Sequence, residues 1–208
     1  MICYLIVRQI SATTVRLPGY YIVDRVDSTG QDGRMQYDTV YHQLGDFRLT
    51  NQLGHPVSLT DVEGKVLLAD FFFTSCPSIC PRLSANMRRV QQAFAKNDSS
   101  LQLLSFTVDP EHDSVPKLKA YADQYGANHD TWWFLTGSKK TIYGIARNDF
   151  HLSVSGSDGD AGDFIHTEKW VLLDKHRYIR GYYNGLDTAD ITRCINDIAL
   201  LMLEKEKR

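Results

Sequence analysis

Two kinds of hydrophobic pattern alternate along the chain. KVLLADFFFT, from Lys65 to Thr74, is almost continuously apolar and follows Gly64, the mark of a strand covered on both faces. LQLLSFTVD, from Leu101 to Asp109, repeats that pattern. Between them the period changes. Leu83, Met87, Val90 and Phe94 recur at helical spacing, while Arg82, Arg88, Arg89 and Gln92 fill other positions. SVPKLKAYADQYG predicts a second helix, with Ser114 as its cap, Pro116 in the first turn and Gly126 at the end. WWFLTG reads as a short strand and SKKTIYGIARNDF as a helix with Ile142, Ile145 and Ala146 inward. KWVLLD and YIRGYYNG read as a strand pair turning at Lys175–Arg177. A last helix, from Thr188 to about Glu204, buries Ile191, Cys194, Ile195, Ile198 and Met202. Upstream, DFRLTNQLGHPVSL alternates as a hairpin, with Gly54 in its turn.

Strands separated by helices pair in parallel through right-handed crossovers, and the terminal strand pair adds antiparallel members. The expected fold is therefore α/β: a mixed β-sheet with helices on both faces and an N-terminal β-hairpin extension. We place a single domain at residues 41–208, behind a partly flexible lead-in over 1–40 in which STGQDG (Ser28–Gly33) is a turn or loop. SGSDGDAGDF is a second loop. The 208 residues suffice for one full core. A net charge of -2 without any Lys/Arg block argues against a nucleic-acid partner. The apolar run Ile2–Val7 stops at Arg8, far short of the ~20 residues of a membrane helix. It has neither the basic start nor the small-residue cleavage site of a signal peptide, and Cys3 lacks the residues that precede a lipoprotein cleavage site. The chain as given is expected to be soluble, with a native anchor left open.

The chemistry concentrates where the first apolar strand meets its helix, in DFFFTSCPSICP. Cys76 ends the strand and Cys80 stands four residues on, where the helix begins. Side chains at that spacing on a helical turn point the same way, about 5–6 Å apart at Cβ. The carboxyl end of a strand in an open α/β sheet is where ligands usually bind. The unsatisfied N–H groups of a helix start favour thiolate over thiol there. Three readings follow: disulfide exchange, metal binding, or packing of buried cysteines. Two thiolates make a poor closed zinc site. They suit Cu(I), which accepts two or three sulfur or imidazole donors, and a copper reading asks for a distant histidine. The candidate is His166 in DFIHTEKWVLLD. His42, His55, His112 and His129 fall in turns or loops, His151 on a strand and His176 in a tight turn. Cys194 reads as core, Cys3 as incidental, and Trp132 and Trp133 as divided between core and surface.

DFFFTSCPSICP, TVDPEHD and DFIHTEKWVLLD, in that order, resemble the signature blocks of the Sco/SenC family, over roughly Leu44 to Leu201. The resemblance implies a thioredoxin-like fold of the peroxiredoxin/Sco type. It also implies copper, as Cu(I) or Cu(II), held by Cys76, Cys80 and His166, and a role for Asp109 in tuning the site or docking partners. It implies assembly of the cytochrome c oxidase copper centre, with subunit II or another copper acceptor as partner. The implied protein is a monomer on the extracytoplasmic side of a membrane, periplasmic or anchored. Some relatives carry Asp directly before the histidine, where this chain has Ile165, with Asp163 close by. The competing expectation is a thiol:disulfide oxidoreductase using Cys76 and Cys80 as its redox pair. Thioredoxins space that pair by two residues rather than three, and they place a cis-proline before the following strand. This chain has no proline after Pro116. A redox or copper sensor is the third expectation.

Overall fold

The computed structural model describes residues 18–31, 34–96, 98–152 and 167–204. In chain order the elements are β1 (Val23–Gln31), β2 (Arg34–Tyr41), β3 (Arg48–Thr50), β4 (Pro56–Ser58), β5 (Val66–Phe72) and α1 (Ile79–Ala93). Then come β6 (Leu101–Thr107), α2 (Val115–Gln124), β7 (Trp132–Leu135), α3 (Lys139–Gly144), β8 (Lys169–Leu173), β9 (Ile179–Asn184) and α4 (Thr188–Leu203).

Five strands form the central sheet in the order β7-β6-β5-β8-β9. β5, β6 and β7 are parallel, because α1 and α2 carry the chain back between them, while β8 and β9 run antiparallel. The two apolar runs become β5 and β6, and every residue of both is buried. Alternation divides their side chains between two cores. Leu67, Ala69 and Phe71 face Leu49, Val57, Ile142, Tyr143 and Phe150, from the β3–β4 hairpin, α3 and the turn after it. Val66, Leu68 and Phe72 face Leu83, Met87, Leu118, Ile191 and Ile198, from α1, α2 and α4. The hairpin is tied to the sheet by reciprocal backbone bonds between Thr50 and Thr136, each 2.8 Å.

Three local expectations need correction. The segment read as a lead-in carries an antiparallel ribbon, β1–β2, and Ser28–Gly30 lie inside β1 rather than in a loop. Its signal was weak because no face of it is buried: Val26, Met35 and Tyr37 share one face, all exposed. His151 is in irregular backbone with φ 48° rather than in a strand. The helix expected through Phe150 breaks after Gly144 into a π turn, Ile145–Asp149. The loop SGSDGDAGDF and Cys3 lie outside the described residues.

Candidate metal and thiol site

β5 runs apolar to Phe72, and Val108 N–H bonds the Phe72 carbonyl at 2.8 Å, carrying the pairing one step beyond the strand. The chain then turns, with Cys76 N–H donating to the Phe73 carbonyl at 3.3 Å, and α1 begins at Ile79. Cys76 therefore lies outside the helix and only Cys80 lies within it. The two sulfurs meet because the loop folds back, not because they share a helical turn.

That fold-back gives the site its chemistry. Ser78 sits at the capping position, yet its side chain makes no capping bond. Instead Cys80 N–H donates to Cys76 Sγ at 3.5 Å, so the sulfur occupies the place of a capping oxygen. Burial pushes the Cys76 thiol up. The backbone N–H groups of Cys80, Ser78 and Ile79, together with the Cys80 thiol, more than reverse this and leave it below the ordinary thiol value. Cys80 goes the other way: burial, then the neighbouring Cys76 sulfur, drive its thiol well up. One sulfur is thus drawn toward thiolate and the other is held toward thiol. Both are free thiols, as is Cys194.

The 109–113 turn follows β6 at the same end of the sheet. Asp109 is brought there, but its carboxylate is engaged by His112, with Oδ1 2.8 Å from Nδ1. His112 is largely exposed, and the Asp109 hydrogen bond raises its pKa. His166 lies outside the described residues. β8 runs antiparallel to β5, so Lys169 begins its strand at the end where β5 delivers Cys76. Among the described residues, no group of three or more His, Cys, Asp or Glu side chains is assembled for a metal.

Two carboxylates went unread in the sequence. Asp70 sits in the middle of β5, fully buried, where Ser105 Oγ donates to its Oδ1 at 2.5 Å and Trp132 Nε1 donates to that Oγ at 2.9 Å. Burial raises it to about 7, against the pull of the Ser105 bond, and its charge bears on Cys80. Asp113 is also buried and accepts hydrogen bonds from Thr74 and Thr107. A charged residue inside the run LLADFFF was the available signal for Asp70; for Asp113 it was the second aspartate of TVDPEHD.

A family model described as SCO1/SenC matches residues 36–202. The chain belongs to the SCO1/SenC family. The SCO1 protein homolog of Bacillus subtilis is 33% identical over 167 residues, spanning 80% of this chain and 86% of that relative. BsSco, described as a member of the Sco family of cytochrome c oxidase assembly proteins in which a disulfide switch was identified, is a structural neighbour. It has a TM-score of 0.68 and 33% identity, covering 79% of this chain and 95% of BsSco. Yeast Sco1, solved with copper bound, has a TM-score of 0.62 at 21% identity, covering 79% and 91% of the two chains, a likeness of fold. The mixed sheet with helices on both faces is the thioredoxin-like fold of the family. None of the described helices is long and apolar enough to cross a membrane.

Proposed function

We propose that this SCO1/SenC protein is a copper metallochaperone that receives copper as cargo at Cys76 and Cys80, with His166 as the third donor. Its acceptor is the copper centre of cytochrome c oxidase, through subunit II or another copper-binding partner. The observation that carries the reading is the capping sulfur. Cys76 is held toward thiolate at a helix start, with Cys80 hydrogen-bonded beside it, and a soft two-sulfur donor set suits copper. Handover proceeds by ligand exchange, as the acceptor's donors replace Cys76, Cys80 and His166 one at a time. Such a protein works on the extracytoplasmic side of a membrane. Asp109, paired with the exposed His112 on the neighbouring turn, serves docking with the acceptor.

The depressed Cys76 thiol also favours a second reading, a thiol reductant for the acceptor's cysteines. Cys76 thiolate attacks one sulfur of an acceptor disulfide, and the other leaves as thiolate and takes a proton. Cys80 then gives up its proton and attacks Cys76 Sγ, releasing the second acceptor thiolate. Two electrons pass to the acceptor, and the Cys76–Cys80 disulfide remains.

Copper titration of the reduced protein, with absorption spectra, separates these readings. Loss of a partner that merely orients a metal ligand costs about 10–100-fold in affinity, so loss of a ligand should cost at least that. His166→Ala is expected to weaken copper by about that margin and to change its spectrum. Unchanged affinity and spectrum would remove His166 from the site. Rapid reduction of an acceptor disulfide by the copper-free protein would favour the second reading.

A further inference from the structure

Asp113 is only 1% exposed, and its hydrogen bonds run to both loops at the end of the sheet. Thr74 N–H donates to Oδ2 at 3.0 Å, and the Thr74 hydroxyl donates to Oδ1. The Thr107 hydroxyl donates to Oδ2, and Thr107 Oγ1 in turn accepts Asp109 N–H at 3.1 Å. The turn closes on itself where Asp113 N–H and His112 N–H donate to the Asp109 carbonyl at 2.9 and 3.1 Å. One carboxylate therefore joins the segment leading into Cys76, the end of β6 and the Asp109–His112 turn.

The geometry points to Asp113 as the positioning residue of the Cys76–Cys80 site: it clasps Thr74 to the 109–113 turn and so fixes where the chain leaves β5 and brings Cys76 Sγ back onto the start of α1. The physical reason is acceptor capacity. A carboxylate has two oxygens and only accepts, so it can satisfy all three donors in a buried place; no other side chain of that size does this. An asparagine offers one oxygen, and its NH2 would face donors. With the clasp gone, Thr74 and Thr107 need other partners, and the loop from Phe73 to Ser78 loses its anchor. The sulfur then no longer stays within reach of the N–H groups at the helix start.

This inference deepens the reading of the site given above, but its test needs no copper. The reduced protein is treated with a small alkylating reagent over a range of pH, and modification of Cys76 is followed residue by residue by mass spectrometry. Wild type, Asp113→Asn, Thr74→Val and Val57→Ala are compared. Loop opening changes the plateau rate, whereas loss of the N–H groups changes the pH midpoint. Asp113→Asn is expected to move the Cys76 midpoint up, toward that of an ordinary thiol. Thr74→Val, which keeps the backbone donor and loses only the hydroxyl, should move it less in the same direction, and it carries the test if Asp113→Asn fails to fold. Val57→Ala, destabilised in the core on the opposite face of the sheet, should leave the midpoint where it is. An unmoved midpoint in folded Asp113→Asn, or an equal shift in Val57→Ala, would overturn the assignment. If the midpoint shifts as expected while wild type fails to bind copper, the clasp stands and the copper reading falls.

Discussion

Cys76 and Cys194 lie in the same apolar layer, between the sheet and helices α1 and α4, and both are buried free thiols. Their acidities diverge. Cys194 sits inside α4, where burial and the nearby charge of Asp197 push its thiol far up. Its backbone neighbours spend their N–H groups within the helix. Cys76 is buried too, but it stands before a helix whose first N–H groups have no partners further up the chain, and it takes them. Apolar surroundings alone suppress a thiolate; the unpaired donors of a helix start restore it. The acidity of Cys76 is therefore set by where the strand ends and how the loop returns, rather than by cysteine as such.

Asp70 provides the largest test of that contrast, because only one hydroxyl offsets its burial. Its folded pKa, about 7, lies above the unfolded value of 3.8. The folded state therefore holds the proton more tightly, and stability present below pH 4 is lost as pH rises through about 7. Asp70→Asn keeps an acceptor for Ser105 and cannot ionise. It should exceed wild type at pH 8 by on the order of a few kcal/mol and lose the decline between pH 4 and 7. Denaturant unfolding across that range checks this; the same decline in both proteins would mean that burial does not govern Asp70.

Serine substitutions test the comparison more narrowly. Cys194→Ser puts a hydroxyl into an apolar helix face and should cost about 1–3 kcal/mol. Cys76→Ser hands the helix start an oxygen of the kind that usually caps it, and should stay within about 0.5 kcal/mol of wild type. Equal costs at the two positions would erase the distinction. A smaller effect is expected at the exposed surface of the site. His112→Ala removes a side chain that is 73% exposed and should change unfolding stability by no more than about 0.5 kcal/mol.

Much of this was legible in the chain. The continuous runs ending at Phe72 and Thr107 read as strands covered on both sides, and Leu83, Met87 and Val90 set the face of α1 that covers one side of the sheet. What stayed hidden has physical causes. The β1–β2 ribbon buries no face, so hydrophobic alternation could not announce it. Cys76 and Cys80 at i and i+4 suggest sulfurs aligned by a shared helical turn, and only the backbone shows the loop folding Cys76 Sγ back onto the helix start. Asp113 shows only as a further aspartate in TVDPEHD, and its tie to the cysteine loop stays hidden because its partner Thr74 is 39 residues away in sequence.

The central claim is that the two sulfurs at the start of α1 form the copper site while the third described thiol does not. It is tested most directly by metal analysis and absorption spectra of reduced protein loaded with copper, for wild type, the Cys76→Ala/Cys80→Ala pair and Cys194→Ala. Wild type and Cys194→Ala are predicted to hold copper with the same sulfur-to-copper absorption, and the paired variant to hold none. Copper retained with an unchanged spectrum after both site cysteines are removed would contradict the account.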